Sequence, residues 1–192
     1  LINPVPSSIK ALLDMGHVKP SVKLVNLAGE ALARALVERL FAETPVEAVA
    51  NLYGPSETTT YSTWIYMPRE TGFDFTIGHP VANTQVYIVD EFMQPVPIGV
   101  AGEIYIAGDG VARGYLNLPE LTDERFLRDP FSSKPQARMY KTGDLGRWLV
   151  DGRIEYLGRN DFQVKIRGFR IELGEVEARL LSCSGVREAV VM

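Results

Sequence analysis

Residues 51–64 read NLYGPSETTTYSTW. An apolar run closes at Asn51-Leu52-Tyr53, Gly54-Pro55 breaks the chain, and one carboxylate, Glu57, is followed by three threonines. The run before the break, Val46 to Asn51, has the length of a strand. Ahead of it, Glu30 to Ala42 places Leu32, Ala33, Leu36, Val37, Leu40 and Phe41 on one helical face, with Arg34, Glu38 and Arg39 opposite. With Val22 to Leu27 as an earlier strand, residues 22–51 spell strand, helix, strand, which predicts a parallel layer covered by helices. The turn at 54–57 then stands just beyond a strand's carboxyl end, where open α/β sheets bind ligands. Upstream, Ser7 to Gly16 has the period of a short helix closed by glycine.

After Trp64 the pattern changes to short β-rich runs, QVYIVD, GEIYIAG, RWLVDGRIEYLG and FQVKIRGFRIEL, punctuated by Gly, Pro and Asp-Gly. Asp151-Gly152 inside LVDGRI predicts a hairpin, because that pair tolerates the positive φ of a tight turn. A β-rich subdomain therefore follows the α/β layer. The glycines of AGDGVARGYL lack a strand-to-helix context and read as structural turns. Thr122 is expected to cap a helix with Asp123 and Glu124 in its first turn. Leu173 to Ser182 is expected to form a short amphipathic helix, and Val186 to Met192 an apolar strand.

The 192 residues are 46% hydrophobic and 23% charged, an ordinary globular composition. Twenty basic against 24 acidic residues give a net charge of −4, and no basic block is present to neutralise a nucleic-acid backbone. Cys183 stands alone, so an internal disulfide framework and a cysteine-rich metal site are excluded, and a cytoplasmic setting is expected. No apolar run approaches the ~20 residues of a membrane span. The opening LINPVPSSIK has neither an initiator Met nor a signal pattern, and reads as the interior of a longer chain.

Several residues suit chemistry by type and place. Glu57 is a hard oxygen ligand suited to a Mg²⁺ that keeps several waters and bridges phosphate oxygens. Ser56 offers a hydroxyl to a phosphate, and Tyr53 an aromatic face to a base. The alternative is a capped turn in which Ser56 and Glu57 serve a following helix. Asp144 in YKTGDL is expected at a strand end, where its carboxylate can accept two bonds from vicinal hydroxyls or form an Asx-turn. Lys165, Arg167 and Arg170 alternate with apolar residues, as on one solvated strand face. His17 and His79 have no acidic or cysteine neighbours at ligand spacing.

Four stretches taken together, NLYGPSE at 51–57, GEIYIAGDGVARGYL at 102–116, YKTGDL at 140–145 and GRNDFQVKIRGFRIELGEVE at 158–177, resemble the adenylate-forming enzymes. In detail they are similar to the amino-acid adenylation domains of non-ribosomal peptide synthetases, and the resemblance spans the chain. It implies an α/β fold in which residues 1–160 are the later part of the large core domain, a parallel α/β layer plus a β-rich subdomain. Residues 161–192 would begin a small α+β lid. It implies ATP and Mg²⁺ as cofactors, with Glu57 on the metal. Asn51, Tyr53, Gly54, Ser56, Asp144, Tyr156 and Arg159 would contact the nucleotide: Tyr53 beside the adenine, Ser56 at the α-phosphate, Asp144 at the ribose, and Arg159 at ribose and phosphate. Asp161 would be the hinge about which the lid rotates between two half-reactions. Lys165 and Gly168 would face the incoming phosphopantetheine arm of a carrier-protein domain, alongside neighbouring synthetase domains. The family's phosphate loop and late catalytic lysine have no counterpart in these residues, so no catalytic residue is assigned.

The family reads its amino acid from scattered positions that fall here on Asn3, Asn26, Ala28, Leu52, Thr60 and Tyr61. The string resembles those assigned to alanine, with Tyr61 and Leu52 closing the pocket at the depth of a methyl group. Glycine and serine compete, since a methylene discriminates by only ~1–3 kcal/mol. An acyl- or aryl-CoA ligase of the same superfamily is the related alternative, and a non-catalytic interaction segment the unrelated one.

Overall fold

The computed structural model describes residues 1–160 and 163–191, the side chains of Lys165 and Arg170 apart. Helix α1 (Pro6–Asp14) opens with proline in its first turn, where the missing N–H costs nothing. Strands β1 (Leu24–Ala28) and β2 (Ala48–Tyr53) pair in parallel from Leu24↔Ala48 to Ala28↔Leu52, and helix α2 (Arg34–Glu43) crosses between them. This is the expected strand, helix, strand unit. Ile9 and Leu13 of α1 meet Leu36, Val37, Leu40 and Phe41 of α2 over Val25, Leu27 and Val49, closing one apolar core.

Helix α2 begins at Arg34, four residues later than its periodicity predicts. Glu30 is engaged elsewhere: its carboxylate accepts from the Ser7 backbone N (2.7 Å) and Oγ (2.9 Å), capping the start of α1. Leu32 still packs on the core, from an extended segment. Strand β2 likewise runs past Asn51 to Tyr53. The first sheet also continues beyond Trp64. Strand β3 (Thr63–Pro68) returns antiparallel beside β2, and the two-residue β4 (His79–Pro80) completes the order β1-β2-β3-β4.

The second sheet is antiparallel. It contains β5 (Thr84–Val89), β6 (Gly102–Gly108), β7 (Phe126–Arg128) and β8 (Arg138–Trp148) in the order β5-β6-β8-β7, with β9 (Ile154–Arg159) also paired to β8. The β8–β9 hairpin turns at Gly152 with φ +79°, as Asp-Gly predicts. Helix α3 (Pro119–Arg125) starts three residues before Thr122, so Thr122 is not its cap. Its Oγ1 instead donates to Leu118 O (2.8 Å) and accepts from Tyr115 N (2.9 Å). Val86, Ile88, Ile104, Ile106 and Ile154 form a second core that also takes in Tyr53 and Ile77 from the first sheet's side.

Beyond residue 162 the basic run does not form one strand. It breaks into β10 (Val164–Ile166) and β11 (Phe169–Ile171), paired antiparallel with Lys165 opposite Arg170. Arg167 and Gly168 both have positive φ, 51° and 78°, the signature of a tight primed turn. Arg167 therefore sits in the turn and not on a strand face. Helix α4 (Leu173–Leu181) follows as expected. Residues 186–191 are not a strand: Val191 N donates to Glu177 Oε1 (2.9 Å), and no ladder is formed there. Among the described residues no helix is long and apolar enough to cross a membrane.

The two sheets are joined at Gly78, which bridges Ile154 through Ile154 N to Gly78 O (2.9 Å). Its φ is +75°, and a Cβ there would lie 1.9 Å from Trp64 O. Gly78→Ala should destabilise the protein by more than about 1 kcal/mol, read as a lower urea midpoint at unchanged m-value. An unchanged midpoint would mean that the junction relaxes without strain.

Candidate functional site

Strand β2 delivers Tyr53 to the sheet's carboxyl edge, and the chain then folds sharply back. Gly54 permits this, since a Cβ at that position would meet Thr60 O at 2.2 Å. Ser56–Thr58 form one 3-10 turn, Ser62 N donates to Tyr53 O (2.8 Å), and the Thr58 and Ser62 hydroxyls lie 2.7 Å apart. Thr59, at φ +76°, donates its hydroxyl to Gly110 O (2.8 Å).

Glu57 lies inside this fold, 7% exposed, where its Oε1 accepts from the Tyr115 hydroxyl at 2.7 Å. Ala112 N donates to the Glu57 carbonyl (2.8 Å), fixing the backbone too. Burial, with contacts to Tyr140 and Glu57, pushes the Tyr115 phenol well above its ordinary range, so it remains a proton donor. Tyr115 belongs to the GYL run that reads as a structural turn. The only sequence signal for its role is an aromatic residue among glycines.

Asp144 is 2% exposed and sits within β8, not at its end. Gly143 at φ +74° and a register shift at Leu145/Gly146 turn the carboxylate inward without ending the strand. Asp144 Oδ2 accepts from the Tyr53 hydroxyl (2.5 Å), and Oδ1 accepts from Tyr156 (3.2 Å) and Arg159 (2.9 Å). Arg159 also donates to Thr142 O (3.3 Å), and Asp144 N donates to the Thr142 hydroxyl (2.9 Å). A carboxylate has about four acceptor positions. Three are filled by this chain's own side chains, so a diol that donates two bonds to Asp144 must share or displace at least one of them. Burial and the adjacent Asp144 charge raise the Tyr53 hydroxyl well above its ordinary value.

Tyr53, Tyr156 and Arg159 line a cavity of about 620 Å³ together with Asn51, Leu52, Gly54, Phe73, Asp74, Phe75 and Ile77. The two tyrosine rings lie 5.9 Å apart at 46°. Asn51 Nδ2 donates to Thr76 O (3.0 Å), which ties β2 to the 73–77 segment. A smaller hollow of about 240 Å³ adjoins it, sharing Gly29 and Gly54, and is lined by Asn3, Ala28, Ser56, Thr60 and Tyr61. Asn3 Nδ2 donates to the Tyr61 hydroxyl at 2.9 Å.

Four of the six expected side-chain positions are thus brought together. Leu52 instead lines the larger cavity, and Asn26 lines neither. Asp144 stands behind the tyrosines, and Glu57 lies outside both spaces. Asp161, the expected hinge, and the Lys165 side chain lie outside the described residues. Gly168 is exposed, and a Cβ there would come within 2.9 Å of Val5 Cγ1, which borders the smaller hollow. Among the described residues no group of three or more His, Cys, Asp or Glu could hold a metal, so Glu57 offers one carboxylate and not a cage.

Comparison with known proteins gives a consistent result. A family model described as AMP-binding enzyme matches residues 1–116. The chain is 57% identical, over all 192 residues, to a linear gramicidin synthase protein of Brevibacillus parabrevis, and spans 4% of that protein. It is 48% identical to tyrocidine synthase 2 of the same organism, with 98% of this chain and 5% of that protein covered. Among solved structures it is similar to holo-PA1221, a non-ribosomal peptide synthetase protein containing adenylation and PCP domains. The TM-score is 0.84 at 30% identity, over 97% of this chain and 33% of that one. It is also similar to AB3403, a four-domain non-ribosomal peptide synthetase bound to AMP and glycine, with TM-score 0.72 at 42% identity, over 100% of this chain and 14% of that one.

The Asp144 cluster generates a stability expectation. Asp144→Ala leaves the Arg159 guanidinium, 11% exposed, without its buried carboxylate partner. The loss should be about 3–5 kcal/mol, measured by urea unfolding. A loss below about 1 kcal/mol would mean that water replaces the carboxylate freely.

Proposed function

Since the chain belongs to the AMP-binding enzyme family, we propose that it forms part of an adenylation domain that activates an amino acid with ATP and passes it to a carrier-protein thiol. In this reading residues 1–160 belong to the core and 161–192 open the lid. One observation carries it: a cavity walled by two tyrosines and an arginine adjoins a small hollow ringed by Asn3, Ala28, Thr60 and Tyr61. The larger space suits a nucleotide and the smaller one a short side chain. In the first half-reaction an amino-acid carboxylate oxygen bonds to the α-phosphorus while the bond to the bridging oxygen of the β-phosphate breaks, releasing pyrophosphate. In the second a carrier thiol loses its proton to solvent and its sulfur bonds the acyl carbon, releasing AMP.

This chain's contribution is placement and charge. Tyr53 and Tyr156 present their rings to the base, held by their hydroxyl bonds to Asp144. Arg159 brings a fixed cation to the phosphate side, its guanidinium already oriented by Asp144 and Thr142. Ser56, on the rim of the smaller hollow, is placed for the α-phosphate. Glu57 would hold Mg²⁺ as a single hard oxygen ligand, its carboxylate oriented by the Tyr115 hydroxyl. When bound, Mg²⁺ supplies neutralisation of phosphate charge. The lone exposed Cys183 favours a reducing, cytoplasmic setting.

For the amino acid we propose alanine. Tyr61, bonded to Asn3, forms part of the lining of the smaller hollow, and the alanine reading rests on the resemblance of these positions to the string assigned to alanine. Gly168, exposed and packed against Val5 too closely for a Cβ, is in this reading the backbone that the phosphopantetheine arm passes.

Pyrophosphate exchange by the whole protein tests the first half-reaction: exchange with alanine and not with benzoate or fatty acids is expected. Glu57→Gln keeps the shape and removes the anion, so it should raise the Mg²⁺ concentration needed for half-maximal exchange by about tenfold. Unchanged Mg²⁺ dependence would remove Glu57 from the metal.

Tyr61→Ala should open the hollow to larger apolar side chains, each newly buried methylene contributing about 0.8 kcal/mol. The ratio of specificity constants for valine or leucine over alanine should therefore rise. A mutant that keeps the original ratio would show that Tyr61 does not line the side-chain pocket.

A further inference from the structure

Part of the larger cavity's lining comes from the segment 73–77, which has no regular hydrogen-bond ladder for most of its length. Asp74 N donates to Met67 Sδ (3.2 Å), and further contacts tie the segment down. Phe73 packs on the α/β core beneath the Arg34 guanidinium, 4.9 Å from its ring centroid. Thr76 O accepts from Asn51, and Ile77 N donates to Ile154 O (2.9 Å). The remaining tie is ionic: Asp74 pairs through Oδ2 with Arg153, the residue just before β9. Asp74 Oδ1 meanwhile accepts from Thr76 N (2.8 Å), so one side chain both shapes the wall and receives the tie.

Arg153 is itself oriented before it reaches Asp74. Its backbone N donates to Asp151 Oδ1 (3.1 Å) and its Nε to Asp151 Oδ2 (2.8 Å), while Leu149 N donates to its carbonyl (2.8 Å). The Arg153 and Asp74 side chains are 29% and 21% exposed, so solvent screens their attraction only in part. Asp74 lines the cavity and Arg153 does not. An uncompensated carboxylate in that wall would repel a nucleoside triphosphate at close range.

We propose that Arg153 is a positioning residue for nucleotide binding: through Asp74 it clasps segment 73–77 against the second sheet and offsets part of the charge of a carboxylate in the cavity lining. The inference rests on reading the larger cavity as the nucleotide site. It assigns to the tip of the β8–β9 hairpin a function in ATP affinity, although Arg153 touches no ligand. The pair is 79 residues apart in sequence and joins the wall to the sheet that carries Asp144.

The test is ATP affinity of the whole protein by equilibrium dialysis, with KM and kcat from pyrophosphate exchange. Arg153→Ala should weaken ATP binding and raise KM for ATP by about tenfold while kcat at saturating ATP stays within about threefold. Arg153→Lys retains the charge and should lose less than about threefold. Asp74→Asn removes the charge and keeps an acceptor for Thr76 N, and in that background Arg153→Ala should cost less than about threefold in ATP affinity. If Arg153→Ala binds ATP as the wild type does, or costs as much in the Asp74→Asn background as alone, the clasp is overturned. Should Arg153→Ala fail to fold, Arg153→Lys compared in the wild-type and Asp74→Asn backgrounds decides the matter. Wild-type protein that binds no ATP would overturn the nucleotide reading itself, whereas wild-type binding with unaffected variants overturns only the clasp.

Discussion

The Asp144 carboxylate is buried among donors from two sheets: Tyr53 from the end of β2, and Tyr156 and Arg159 from β9. Charge removed from water is tolerable only when it is well partnered, and here three of about four acceptor positions are filled by side chains that line the larger cavity. Desolvation of one anion thereby sets the positions of two aromatic rings and a guanidinium. The bulge at Gly143 to Gly146 is the backbone's part in this arrangement, since a regular strand would carry the same residue without the inward turn.

Around that carboxylate the two sheets meet along a short seam. Gly78 pairs with Ile154, Ile77 enters the second core, and Asp74 reaches Arg153, so the 73–77 part of the cavity lining is held by the sheet that supplies Asp144. The smaller hollow is built on different ties. The Ile2–Val25 bridge and the Glu30 cap on α1 hold Asn3 beside β1, where it meets Tyr61 from the loop that follows Glu57. Each of the two spaces is therefore set by its own long-range contacts, and Gly29 and Gly54 are the backbone they share.

Much of this was legible in the residues themselves wherever the determinant is local. The buried face of α2, the crossover between β1 and β2, and the turn at Gly152 follow from periodicity and from positive-φ preference. The start of α2 did not, because Glu30 is drawn to Ser7 across 23 residues. The basic run after residue 162 looked like one strand because its alternation is regular, yet Arg167 and Gly168 turn it into a hairpin. Of the residues named through the resemblance, Tyr53, Tyr156 and Arg159 line one cavity, and Asn3, Ala28, Thr60 and Tyr61 line the smaller hollow. Tyr115 on Glu57 and Arg153 on Asp74 were not legible, being pairs 58 and 79 residues apart with no local signature.

The central claim is that the Asp144-anchored cavity receives the nucleotide. A crystal structure of the whole protein soaked with AMP tests it most directly. The account predicts AMP in the 620 Å³ cavity, its base against Tyr53 and Tyr156 and its phosphate toward Arg159. AMP bound elsewhere, or an empty cavity at saturating AMP, would contradict it.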